Sequence, residues 1–478
     1  MLHIGRNVLS LIVSRILAGV ILFLIYTRLV QYLGPAAAGE FGLLSTYLTV
    51  FSFFVDLGMS QLVIKRISED REHAAKYLSN YFVLQFLLGF GFMLILDSIV
   101  YFAGYPQEVK NALYIIGCSL LIASLSLPFR SVINGFQRLT VIARINFLNS
   151  VINGSMMILA ITLRKHLIFL ASISLIVSSF DFFIYWYFVN RNFVKFSLSF
   201  DKQFAKQLLI ATFPFALLTI FSIYNRVDTL LLPHLRNFEE TGYYSAAYKF
   251  WDVLAFIPTV VGISLYPYFA ESISLNLKDR VRSGLETYTR YMIAVGIPMA
   301  VGAYLLAPRL TLAFYGKSFL PAAPALWLLV TAVAILFIYS PSNSLVISQQ
   351  TKLATKITGF TLLTNVVLNL ILIPKFGFVA AAAVTVLSEL MQALAYRFVI
   401  TKKIIDYKFF RFFVKPAIAA AAMAGVVLLL EDRNIWLIMA LSGICYTALL
   451  LLLRFFKTED WELLKAAINI RKPINPQP

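Results

Sequence analysis

Long apolar runs, each near twenty residues and parted by short polar or Gly/Pro-punctuated connections, recur along the whole chain. A helix needs about 20 residues to cross ~30 Å of hydrocarbon. The runs predict helices over 8–30, 41–63, 78–103, 111–133, 145–163, 167–189, 208–232, 243–270, 291–308, 322–347, 357–374, 378–400, 416–431 and 435–453. The third, eighth and tenth are long enough to tilt. Transmembrane strands would alternate apolar and polar residues over about ten positions, and runs such as 11–25 and 417–430 do not. The pattern therefore predicts an all-α integral membrane protein of about fourteen transmembrane helices.

The pattern also repeats. Gly39-Glu40-Phe41 opens the second run and Gly242-Tyr243-Tyr244 the eighth, an offset of 203; further on, Gly58-Met59-Ser60 answers Gly262-Ile263-Ser264 at 204. Two six-helix bundles are expected, residues 1–207 and 208–403, with two additional transmembrane helices over 404–455 and a cytoplasmic amphipathic tail over 456–478. An even number of helices per bundle makes the repeat parallel, about an axis along the membrane normal. A cavity is expected between the bundles. Within the tail, 458–469 reads as a short amphipathic helix on the inner leaflet.

Composition sharpens this only in part. The 478 residues are 60% hydrophobic and 13% charged, with a mean hydropathy of +0.81, where an ordinary soluble domain is about 25% charged. No connection is long enough for a soluble catalytic domain. The net charge of +18 is a topology signal rather than a nucleic-acid one. With a cytoplasmic N-terminus, 27 of the 41 basic residues fall in connections and tails on the cytoplasmic side and 8 on the other, as the positive-inside rule requires. Both termini should then be cytoplasmic. Ala36-Ala37-Ala38 resembles a signal-peptidase site, but the apolar stretch before it is too long for a signal core and Arg28 interrupts the approach, so an uncleaved first helix is expected. Cys118 and Cys445 lie inside apolar runs without metal-ligand spacing, the four histidines show none either, and no metal or cofactor is expected.

The informative charges are those inside the spans, where each costs about 2.5–3.5 kcal/mol at the bilayer centre. Ser45, Thr49, Ser52, Asp56 and Ser60 share one face of the second helix. Ser245, Lys249, Asp252 and Thr259 do the same on the eighth, and at the 203 offset Thr49 matches Asp252 and Asp56 matches Thr259. The candidate cavity residues are Arg15, Arg28, Asp56, Asn225, Arg226, Asp228, Lys249 and Asp252. Asp228, Asp252 and Glu389 are candidates for coupling to Na+ or H+. Against this stands a purely structural reading: Lys249 and Asp252 are spaced to form a salt bridge that lets the helix insert, Arg28 and Arg130 lie where they can snorkel, and Asn146, Asn149 and Asn153 on the fifth helix and Asn365 and Asn369 on the eleventh suit helix packing.

The order of motifs resembles the bacterial polysaccharide-biosynthesis flippases of the O-antigen (Wzx) type, in the superfamily that also holds multidrug/toxic-compound extruders and the peptidoglycan-precursor flippase. The residues carrying the resemblance are Tyr32-Leu33-Gly34-Pro35, Gly39-Glu40-Phe41-Gly42, Asp56-Leu57-Gly58-Met59 and Lys65-Arg66. In the second half they are Asn225-Arg226-Val227-Asp228, Thr241 through Tyr248, and Pro258 through Tyr266-Pro267. The resemblance implies two bundles in a V, alternating access, and movement of an undecaprenyl-pyrophosphate-linked oligosaccharide from the cytoplasmic to the outer leaflet of a bacterial inner membrane. Arg15 and Arg226 would meet the pyrophosphate. It also implies association with a polysaccharide polymerase and glycosyltransferases. The rivals are an ion-coupled multidrug antiporter, which would want an acidic cavity, a peptidoglycan lipid precursor flippase, and a membrane glycosyltransferase or polymerase, which would need a long external loop or a carboxylate motif.

Overall fold

The computed structural model describes residues 2–221, 226–407, 409–457 and 460. In chain order the helices are α1 (Leu2–Asp56), α2 (Met59–Glu69), α3 (Ala74–Phe102), α4 (Gln107–Gly135), α5 (Leu139–Thr162), α6 (Leu167–Asn192) and α7 (Lys202–Phe221). The second half holds α8 (Val227–Leu235), α9 (Phe238–Leu254), α10 (Phe256–Ser274), α11 (Lys278–Tyr315), α12 (Ala323–Lys403), α13 (Val414–Leu429) and α14 (Ile435–Leu452). No strand occurs among the described residues. Among the described residues ten helical stretches are long and apolar enough to cross a membrane, and the chain is a multi-pass membrane protein.

Two of these helices double back. Tyr26 and Phe41 lie 15 positions apart, about 22 Å along a straight helix, yet their ring centroids are 6.3 Å apart. The reversal is at Gly34, whose φ of 74° is open to glycine and strained for other residues, followed by Pro35. In α12, Asn365 and Ser388 would be about 35 Å apart in a straight helix but share a 2.9 Å hydrogen bond, across the bend at Gly377 (φ 64°). A further break at Gln350 brings Tyr339 and Thr358 to the same Tyr396. The expected eighth helix is interrupted at Ala255: the ring of Pro258 clashes with the carbonyl four residues back, so the chain restarts as α10. Likewise the second run ends at Asp56 and resumes as α2.

The buried apolar residues fall into separate clusters at one end of the molecule and into a shared one at the other. Call the end holding Gly34 and Gly377 the Gly34 end, and the opposite one the basic end. Near the basic end, Leu78, Tyr81, Val132 and Tyr185 pack in the first half and Phe269, Leu285, Val346 and Ile400 in the second, with no shared cluster. The first turns of α7 cross over, burying Ala205 and Leu208 in the first half's core. Near the Gly34 end one cluster spans both halves, joining Tyr26, Leu43 and Tyr47 to Tyr243, Ala246 and Phe319. The last two helices, α13 and α14, lie against α11 through Met423, Tyr446 and Val301.

The joint between the halves is reciprocal. A Cβ on Gly39 would fall 1.8 Å from the carbonyl oxygen of Phe238, and one on Gly242 would fall 1.9 Å from that of Pro35. Subtracting the 203 offset from Phe238 and Gly242 gives Pro35 and Gly39, so each repeat offers the other the same surface. Gly42 and Ser245, also 203 apart, face each other one turn on. Only glycine lets two helix backbones approach this closely. Further bonds tie this end: the Tyr105 hydroxyl to His234 Nε2 at 2.6 Å and Gln31 Nε2 to the Phe314 carbonyl at 2.9 Å.

The tail returns to α11. Arg290 meets Asp460 at 2.5 Å, both almost fully buried, and the Tyr291 hydroxyl donates to the same carboxylate. The rest of the expected amphipathic segment, 458–459 and 461–478, lies outside the described residues.

Candidate functional site

Three of the expected charges meet where the halves face each other. Arg226 is the residue just before α8; Lys249 and Asp252, three residues apart, share one face of α9. The Arg226 guanidinium donates to Asp252 Oδ1 at 2.5 Å, and Lys249 Nζ lies 3.9 Å from Oδ2. Two cations thus share one carboxylate. Each cation also lies over an aromatic face: Arg226 is 4.7 Å from the Tyr248 ring centroid and Lys249 is 4.8 Å from that of Tyr26. The Lys249–Tyr26 contact crosses between the halves. These side chains are 27% (Arg226), 28% (Asp252) and 33% (Lys249) exposed, so the cluster is walled but reachable. Its formal excess of one positive charge, with Arg and Lys donors left to spare, suits a phosphate or carboxylate.

The polar stripe on α1 makes no contact with this cluster among the described residues. Ser45 and Ser52 are exposed, Thr49 and Asp56 half-buried, and the Ser45, Thr49 and Ser52 hydroxyls donate to their own helix backbone.

Other expected residues go elsewhere. Asp228 does not line the cavity: two residues past Arg226 on a helix is about 200° round, and its side chain is fully enclosed in the second half. There it accepts from the Tyr244 hydroxyl, from the Thr229 N–H at 2.8 Å and from the Thr385 hydroxyl at 3.3 Å. Among the described residues no cationic nitrogen lies within 4.0 Å of it. Glu389, equally buried, accepts from the Tyr339 hydroxyl at 2.7 Å. Beside it Ser388 accepts from Asn365, which in turn accepts from Asn369. Asp56 acts locally, receiving the Ser60 N–H and hydroxyl at the start of α2 and the Tyr81 hydroxyl at 2.7 Å. Arg28 is exposed, its guanidinium donating to Gln31 rather than joining the cluster. The Arg15 side chain and Asn225 lie outside the described residues. Sequence reasoning missed Tyr244 as the partner of Asp228, a pairing across two helices that no spacing reveals. Among the described residues no three His, Cys, Asp or Glu side chains are grouped to hold a metal ion.

Residues 4–273 match the family model for polysaccharide biosynthesis proteins, and residues 243–446 match that for the lipid II flippase MurJ. In sequence the chain is similar to the probable low-salt glycan biosynthesis flippase Agl15 of Haloferax volcanii, 23% identical over 402 residues that cover 81% of each protein. It is also similar to the probable flippase AglR of that organism, 26% identical over 181 residues, 36% of this chain and 37% of the other. In fold it matches the lipid II flippase MurJ in an inward closed conformation, with a TM-score of 0.78 at 17% identity, over 92% of this chain and 98% of that one. It matches an inward-facing multidrug-resistance MATE transporter of the MOP superfamily with a TM-score of 0.62 at 16% identity, over 84% and 95%.

Proposed function

This chain belongs to the polysaccharide biosynthesis protein family, and from that membership and its cation cluster we infer that it is a flippase carrying a lipid-linked oligosaccharide between membrane leaflets. It is a transporter rather than an enzyme. The observation that carries the reading is the pair of cations, Arg226 and Lys249, bound to one shared carboxylate and a third exposed between the halves. A pyrophosphate entering from the basic end can take the free Arg and Lys donors without displacing Asp252, while the hydroxyl-rich walls face its glycan. The lipid tail stays in the bilayer.

In this reading the basic end is cytoplasmic, both termini lie there, and the structure is the state closed to the outside. The two halves, 1–207 and 208–403, are the rocking units, with 404–455 carried alongside and the limbs read as fourteen crossings. The membrane is the bacterial inner membrane, and the cargo is an undecaprenyl-pyrophosphate-linked O-antigen, capsule or exopolysaccharide unit, handed to a polymerase after glycosyltransferases have built it. Asp228 and Glu389, carboxylates enclosed among hydroxyls and amides, are the candidates for Na+ or H+ coupling, with Asp252 as the counter-ion of the cluster. The match of 243–446 to the lipid II flippase model favours as second reading the peptidoglycan precursor, which shares the pyrophosphate and differs in its sugars.

The test is transport by the purified protein in liposomes loaded with undecaprenyl-pyrophosphoryl-N-acetylglucosamine on one leaflet. Replacing Arg226 with Ala should slow translocation at least tenfold with normal expression and folding, and Arg226→Lys should restore part of it. Translocation at the unmodified rate by Arg226→Ala would overturn the reading.

A further inference from the structure

The cation cluster accounts for a charged group but leaves open where an attached sugar would sit. One cavity of about 430 Å³ lies between α10 and the first limb of α12, lined by Thr259, Gly262, Tyr266, Ser340, Asn343 and Ser344. That volume is within the range of small-ligand sites. Its position follows from the helix: Thr259 is seven residues beyond Asp252, on the same face and roughly 10 Å further along the axis. The N–H to C=O ladder runs through the break, from Ala255 to Trp251 and from Thr259 to Ala255. The cavity therefore opens on the same wall as Arg226 and Lys249, toward the basic end.

Its chemistry is specific. None of these residues is charged, and Pro258, Leu336 and Ile347 complete the lining with apolar surface. The Thr259, Ser340 and Ser344 hydroxyls donate their protons to backbone carbonyls, of Ala255 at 2.7 Å, of Phe337 at 3.0 Å, and of Gly262 and Ser340 at 3.2 and 3.1 Å. What they keep for a ligand is acceptor lone pairs. The Asn343 side-chain oxygen is buried with no hydrogen-bond partner, an acceptor that a turn of the amide toward the cavity would offer to a donor. Tyr266 stands half-exposed at the rim, with a face on which a sugar ring can stack. A ligand that brings several O–H donors, no charge and an apolar ring face answers all of these at once.

The repeat sharpens the contrast. Thr259 answers Asp56 and Gly262 answers Gly58 in the first half, but there the equivalent ground is closed. Asp56 is saturated by Ser60 and Tyr81, and Leu62, which answers Tyr266 at the 204 offset, is buried in the core. Among the described residues, the second half holds a cavity at this position, whereas in the first half the polar groups bond one another.

We propose that the Thr259–Asn343 cavity seats an uncharged pyranose of the glycan, next to the pyrophosphate held at Arg226 and Lys249. The proposal rests on the flippase reading and adds to it the site and the chemical class of sugar. Binding to the full-length protein in nanodiscs is measured with three probes: undecaprenyl pyrophosphate, the same lipid bearing N-acetylglucosamine, and the same lipid bearing glucuronic acid. The unmodified protein should hold the N-acetylglucosamine lipid about tenfold tighter than the bare pyrophosphate and gain nothing from glucuronate. Gly262→Leu, which fills the cavity, and Asn343→Leu, which keeps the side chain's bulk but removes its amide, should lose that gain while binding the bare lipid unchanged, which also shows that they fold. Should either variant fail to bind the bare lipid, Gly262→Ala, whose methyl would meet the Ser344 hydroxyl at 3.2 Å, should lose part of the gain.

Equal binding of the neutral and bare lipids by the unmodified protein, or a gain retained in the cavity variants, overturns the proposal. Arg226→Ala separates the two ideas. If it weakens both lipids by a common factor while the sugar gain persists, both stand. If it changes neither lipid, the pyrophosphate reading falls, and the sugar site stands on the cavity variants alone.

Discussion

A single methyl group at Gly242 tests whether the reciprocal contact is the joint on which the halves close. In the closed arrangement that carbon would sit 1.9 Å from the Pro35 oxygen and 2.8 Å from its carbonyl carbon, and contacts to a real Cβ essentially never fall under 3.0 Å. The atom it meets is backbone, held between Gly34 and α1, so no side chain can swing aside. The two helices must separate, and forcing a packed interface apart costs about 1–3 kcal/mol. At 1.4 kcal/mol per factor of ten, Gly242→Ala shifts the balance roughly 5- to 150-fold away from the closed state. Spin labels on Gln107→Cys and Lys317→Cys, exposed residues of opposite halves at this end, in a background with Cys118 and Cys445 replaced by Ser, would report it. The unmodified protein should give one short distance, and Gly242→Ala should add a longer one. Gly39→Ala should do the same, and because the two glycines share one contact the double variant should resemble either single rather than their sum. Identical distance distributions in all four proteins, with unchanged Tm, would refute the argument.

Two further outcomes follow from geometry away from the cavity. Arg290→Ala leaves Asp460 buried without its cation, a loss of about 3–5 kcal/mol that a fall in Tm should show, and the pair Arg290→Met with Asp460→Leu should recover most of it; an unchanged Tm in Arg290→Ala would exclude a stabilising role for the tail. Asp201, outside the spans, caps α7 by accepting the Phe204 and Gln203 N–H groups at 3.0 and 3.1 Å and meets Lys76 at 3.0 Å. The bond from Phe204, then Lys76, holds its carboxyl below the usual range. A depressed folded value stabilises above the unfolded value near 3.9 and the contribution is lost as pH falls through the folded one. Amide exchange over 202–206, corrected for its intrinsic rate, should therefore rise below pH ~4 in the unmodified protein and be raised without that step in Asp201→Asn.

What the sequence made legible was periodicity. Lys249 and Asp252 lie on a helix long enough for residue spacing to fix their common face, and there they meet Arg226. Asp228 escaped because it lies two positions past Arg226, about 200° round the helix, and no spacing reveals the Tyr244 hydroxyl that takes it up. Arg28 shares a helix with Tyr26, but two positions turn it away from the lumen to where Gln31 takes it up. Asp56 was placed on the right face, yet the chain turns at Leu57 and gives it the N–H of Ser60 as a partner. The Gly39/Gly242 motif announced a repeat; that the two copies touch is a property of packing. Asn343 had no signal at all, since its meaning lies in what fails to reach it.

A contact in which each partner plays both roles is self-complementary, the geometry of an isologous dimer. A lone six-helix ancestor bearing the Gly39–Phe41 segment would have presented the same surface to a second copy of itself, inserted the same way round because an even number of crossings returns the chain to its starting side. With both copies in one chain the shared contact still requires the two glycines, while positions away from it are free to differ: Asp56 is taken up by Ser60 and Tyr81 whereas Thr259 borders a cavity, an asymmetry that two identical subunits could not adopt.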